Sequence, residues 1–132
     1  MSESLLRVVV AVVLILHGVG HLLAIFPIVG KKLSQTHSAD SWLFTRLLGD
    51  TGARIIGVVI WLIACIGFIG AGLGLLGWLV PSELWPALAT WASIFSLLGL
   101  GLFWNAFPFL FPNKLGVIII DVAVLVYLLW LR

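Results

Sequence analysis

Residues 5–29 read LLRVVVAVVLILHGVGHLLAIFPIV. A helix rises 1.5 Å per residue and the hydrocarbon core of a bilayer is about 30 Å thick, so about 20 apolar residues cross it. This run exceeds that length, its one charge is Arg7 near the outer end, and His17 and His21 stand in its middle. Residues four apart share a helix face. Hydrocarbon offers imidazole no hydrogen bond, so that face must look toward protein or water. The first helix therefore has an inward side, and the remaining chain must cover it.

The totals agree. Of 132 residues, 63% are hydrophobic and 9% charged, whereas a soluble domain carries about a quarter charged residues. So few charges cannot face water over a whole surface, and the class is integral membrane protein. The net charge of +2 comes from basic residues at helix ends and contains no Lys/Arg run. It is a topology signal and implies no nucleic-acid partner. Cys65, the single cysteine, lies in an apolar setting and reads as a packing group. The start MSESLLR resembles the head of a signal peptide, but the apolar run is long and no small-residue cleavage site follows, so it reads as a retained anchor.

The length allows one domain of four spans: residues 5–29, 53–79, 84–107 and 114–131, joined by a polar connector at 30–52. The expected fold is all-α, a four-helix up-down transmembrane bundle. Within the connector, SADSWLFTRLLGD predicts a short amphipathic helix capped by Ser38 or Asp40 and stopped at Gly49. It would rest on the membrane surface through Trp42, Leu43, Phe44, Leu47 and Leu48, and His37 just before it reads as solvated. In the second span, Gly70 and Gly74 form a small-xxx-small pair suited to close helix contact, either within the bundle or with a partner subunit. Thr90, Ser93 and Ser96 of the third span can bond their own carbonyls or line the interior. Lys31, Lys32, Arg46, Arg54 and Lys114 fall on one side and only Arg7 and Arg132 on the other. That asymmetry places the 1–2 loop in the cytoplasm and both termini outside.

The fourth span holds one charge, Asp121. An isolated carboxylate at that depth costs at least a few kcal/mol, so it needs a partner or a proton. Measured from Lys114, Asp121 lies about 10–11 Å inside the boundary, and His21, measured from Val29, lies about 12 Å inside. The expected contact is His21 with Asp121, with His17 one turn deeper, Trp61 in the same layer, and Arg54 reaching inward. Two histidines and a carboxylate can hold a metal with open positions, although no fourth ligand is evident. Haem needs imidazoles from opposite sides of its ring, which one helix face does not supply. A His–Asp pair also suits a quinone carbonyl and its proton, and Gly18 and Gly20 leave room for a flat ligand or another helix. The bland alternative is a polar pair that only fixes helix packing.

The HGVGH stretch at 17–21, the glycine-rich second span and LGVIIIDVAVL at 115–125 together resemble small four-helix membrane proteins of the DoxX-like type. That family is associated with thiosulfate:quinone oxidoreductase and with respiratory or redox-stress complexes. The resemblance favours a redox-associated plasma-membrane subunit holding a quinone-like lipid in preference to haem or metal; the candidate residues for it, His17, His21, Asp121, Trp61 and Arg54, come from the depth argument and not from the family. Partner membrane subunits or a homo-oligomer would accompany it. The other expectation is a non-enzymatic scaffold or assembly subunit. A transporter is third, because one four-span unit has too few interior polar residues to line a path.

Overall fold

The computed structural model describes residues 2–132. Among them every regular element is helical, and four helices are long and apolar enough to cross a membrane: Glu3–Val29, Phe44–Leu76, Ser82–Leu102 and Leu110–Leu131.

Helix α1, Glu3–Gly20, starts where the Ser2 hydroxyl accepts the Leu5 N–H at 3.3 Å. It tightens into two 3₁₀ turns, His21–Ala24 and Phe26–Val29. Gly30, at φ 81°, ends it: the N–H groups of Gly30 and Lys31 donate to Pro27 O and Phe26 O, a closure that needs the left-handed conformation glycine tolerates. Helix α2, Phe44–Leu76, is broken at Gly49, where φ is 75° and ψ 179°. Only glycine enters that region freely. Residues 44–48 are thus a separate helical turn abutting the long helix, which is as much of the expected connector helix as forms. Its cap differs from the expectation: the Ser41 hydroxyl accepts the Phe44 N–H at 3.1 Å, ahead of which Ser38 and Asp40 are too distant in sequence to serve. Helix α3 is Trp85–Leu102, with Pro86 in the first turn where its missing N–H is not needed. Helix α4 is Leu115–Val126, prolonged by looser turns at Leu110–Lys114 and Tyr127–Leu131.

Helix α2 is central, packing against α1 on one side and α3 on the other, while α4 lies on α3. The buried seam of α2 is Ala53, Gly57, Trp61, Ala64, Phe68 and Ala71, steps of four and three that keep one stripe facing inward. Small residues set the spacing. A Cβ on Gly18 would stand 2.8 Å from the Cys65 carbonyl oxygen, and one on Gly72 would stand 2.7 Å from that of Ala11. On the other side, a Cβ on Gly70 would meet Leu88 at 3.3 Å and one on Gly74 would meet Trp85 at 3.2 Å. The Gly70/Gly74 pair therefore packs against α3 and the turn that precedes it.

The bundle is inverted relative to a water-soluble one. Leu16, Ile66 and Ile119 are each about two-thirds exposed, whereas His21, Ser93, Ser96 and Asp121 are fully buried. Large apolar side chains outside and polar groups inside suit a hydrocarbon surround.

The connector also departs from the sequence reading. His37 is fully buried, where solvation was expected. Its Nδ1 accepts the Leu33 N–H at 3.1 Å, and its Nε2–H donates to Ala106 O at 2.8 Å and Leu23 O at 3.1 Å. The Ser34 hydroxyl donates to Pro108 O at 2.9 Å and the Ser38 N–H to Asn105 O at 2.9 Å. Carbonyls freed where α1 and α3 end need donors, and the folded-back connector supplies them.

Candidate functional site

Three helices contribute one polar cluster. His17 on α1 and His21, at the start of the 3₁₀ turn that continues it, project from successive turns, and their rings meet edge to face at 4.7 Å between centroids. His21 Nδ1 lies 2.8 Å from the His17 carbonyl oxygen. A carbonyl only accepts, so Nδ1 carries the proton, and in the neutral ring Nε2 is left as an acceptor. It receives the Ser96 hydroxyl of α3 at 2.7 Å. His17 Nε2–H donates to Asp121 Oδ1 of α4 at 2.7 Å.

The pairing corrects the expectation that His21 meets Asp121. The sequence reading started the fourth span at Lys114, but the apolar residues before it belong to the span, which begins at Leu110. Depth counted at the α-helical rise fails at both ends, because residues 21–29 form two 3₁₀ turns, which rise about 2 Å per residue, and Phe111 is non-helical. That count points to His21, whereas the observed partner is His17, one turn away. Arg54 is exposed and lines a shallow outer groove with Ile28, Ile55 and Val58; it does not reach Asp121. On α2, about two helix turns separate Arg54 from Trp61 and about four from Phe68.

The electrostatics follow from burial. Asp121 is fully buried and His17 keeps a 6% exposed side chain, so the ion pair or its neutral equivalent holds a proton between imidazole and carboxyl away from water. Asp121 Oδ2 is buried without a hydrogen-bond partner, as is the Ser93 hydroxyl one turn before Ser96. The Ser96 hydroxyl lies beside the Asp121 carboxyl, but its single proton is committed to His21.

Aromatic rings wall the cluster. Phe68 stands edge-on to His17 at 4.6 Å and stacks on His21 at 5.5 Å, Phe107 meets His21 at 5.8 Å, and Trp61 lies 6.0 Å from His21. Trp61 is thus at the site as expected, held against Gly99, where a Cβ would stand 2.8 Å from its ring. Sequence reasoning missed Phe68 and Phe107. Phe68 carried a signal, since it lies two turns from Trp61 on the same α2 stripe; Phe107 carried none, because it sits in the irregular stretch between α3 and α4. Gly18 does not leave room for a ligand, being packed on α2, whereas Gly20 has open space around it.

The ligand atoms of His17, His21 and Asp121 all lie within 4.8 Å of one another. The arrangement can hold and pass a proton, donate to a carbonyl-bearing ligand through Nδ1–H of His17 when that ring is protonated, or coordinate a cation. No protein-family model, curated protein or solved structure matches the chain.

Proposed function

We propose that this chain is a multi-pass plasma-membrane protein of up-down topology, with the 1–2 connector cytoplasmic, the turn at 44–48 on the membrane surface and both termini outside. Its proposed role is that of a DoxX-like, redox-associated subunit that holds a quinone-like lipid at the His17–Asp121 pair. The inverted distribution of apolar and polar side chains supports membrane insertion, and the basic residues around the connector support the orientation.

The observation that carries the ligand is the 2.7 Å His17–Asp121 bond with His17 as its outer member. Asp121, His21 and Ser96 are fully buried, the His17 side chain is 6% exposed, and Gly20, one turn on, borders open space. A flat lipophilic carbonyl can reach His17 sideways along α1, and the carboxyl behind it fixes the imidazole and buffers its proton.

The test is quinone content. Protein purified in mild detergent is reconstituted with excess ubiquinone or menaquinone, washed, extracted and analysed by mass spectrometry. Near-stoichiometric quinone is expected, falling at least tenfold in His17→Ala with helicity retained. Wild type that retains no quinone would overturn the proposal. The second reading, a scaffold whose polar cluster only ties α1, α3 and α4 together, is favoured by the Trp61, Phe68 and Phe107 wall. It predicts lost stability in His17→Ala and no ligand in either protein.

A further inference from the structure

The quinone reading uses one edge of His17. It leaves unexplained why His21 Nε2, which accepts the Ser96 hydroxyl, stands beside the pair, and why a buried carboxylate oxygen has no partner. A buried polar atom without a hydrogen bond costs about 1–3 kcal/mol, more when charged, so Asp121 Oδ2 is a place where a cation or a proton belongs.

We propose that His17, His21 and Asp121 bind one divalent late first-row transition-metal ion, with the Ser96 hydroxyl or a water completing the shell. Three features carry it. The donors are two imidazoles and one carboxylate, the set that suits zinc, cobalt or ferrous iron and not the six or more oxygens that magnesium or calcium takes. Their ligand atoms already lie within 4.8 Å of one another. Bonds of about 2.0–2.1 Å in a tetrahedral shell put ligand atoms about 3.4 Å apart, so side-chain adjustments of roughly an ångström close the site. The 2.7 Å His17–Asp121 contact opens by a smaller amount.

The third feature is the surroundings of His21. Its Nδ1–H donates to the His17 carbonyl, which fixes the tautomer with the Nε2 lone pair turned into the cluster. A backbone carbonyl holding the far ring nitrogen is the usual support of a metal-bound histidine. When the ion arrives, Ser96 gives up its hydrogen bond to Nε2 and is free to turn its own oxygen toward the metal or its hydroxyl proton toward Asp121. The proton between His17 and Asp121 leaves the shared position, moving to the far nitrogen of His17 or to solvent. The site forms without any ligand from α2, which contributes only the apolar wall.

This inference stands on the ligand geometry and not on the quinone reading, and its test uses quinone-free protein. Tag-free wild type in mild detergent, stripped with chelator, is titrated with cobalt(II) and followed by visible absorption. One equivalent is expected to give saturable d–d bands that zinc displaces, with at least tenfold weaker binding in His21→Gln and unchanged bands in Cys65→Ala. X-ray absorption at the zinc edge of the wild-type complex gives an answer that does not depend on any variant folding. It should read two imidazoles with oxygen and no sulfur. Absence of saturable cobalt binding, a sulfur ligand, or a shell without imidazole would overturn the proposal. A quinone-positive, metal-negative protein leaves the earlier reading intact, and the reverse result separates the two in the other direction.

Discussion

Gly18 and Gly20 lie two residues apart on α1, beside the same histidines, yet they should respond oppositely to alanine. A Cβ on Gly18 would stand 2.8 Å from the Cys65 carbonyl oxygen, 3.0 Å from Phe68 Cβ and 3.0 Å from an Ile69 side-chain carbon. Two of these neighbours are a backbone atom and a Cβ, which cannot swing away as a side-chain tip does. Relief requires α1 and α2 to separate by roughly half an ångström, and overpacking of this kind costs about 1–3 kcal/mol. At Gly20 nothing stands within 4 Å of the added carbon, so alanine there adds only helix propensity, a gain of up to about 1 kcal/mol. The measurement is equilibrium unfolding in mixed micelles titrated with SDS, read by tryptophan fluorescence, for Gly18→Ala, Gly20→Ala and wild type. Gly18→Ala should lose about 1–3 kcal/mol and Gly20→Ala should match or exceed wild type. Equal effects at the two positions would refute the packing of α1 on α2, and with it the placement of His17 and His21.

Three further outcomes follow from individual contacts. Asp121→Ala leaves His17 unpaired and His17→Ala leaves a buried carboxyl, so in the same unfolding assay each should be costly and the double variant less than additive, with a coupling of about 1–2 kcal/mol; additive costs would mean the pair does not form. His37→Ala removes the donor shared by Leu23 O and Ala106 O and the acceptor of the Leu33 N–H. It should cost about 1–3 kcal/mol and speed amide exchange at Leu33, whereas unchanged exchange would return His37 to a solvated loop. Gly49→Ala forces a side chain into φ 75°, ψ 179° and should destabilise by about 1–3 kcal/mol, unless the 44–48 turn instead fuses into one continuous helix, which the helical signal in circular dichroism would show as a gain.

The sequence alone determined the class and the count of spans, because length and hydropathy are local quantities and four apolar runs carry them plainly. It also picked out His17, His21 and Asp121, since a polar side chain in an apolar run is conspicuous whatever its neighbours. It misjudged what depended on helix ends. FPFLFPN is irregular as expected, with Phe107 and Phe111 extended. Counting depth as unbroken α-helix through the 3₁₀ turns at 21–29, however, paired Asp121 with His21 in place of His17.

Other features were decided only by tertiary structure. Whether Gly70 and Gly74 face a partner or α3, whether His37 meets water or the carbonyls at two helix ends, and which aromatic rings close over His21 all depend on how helices are rotated and how a connector folds back. Rotation and register arise from close approach at small residues such as Gly18, Gly72 and Gly99, summed over contacts between residues far apart in the chain. Hydropathy along one helix states that it has an inward face; only the neighbouring helices decide what that face meets.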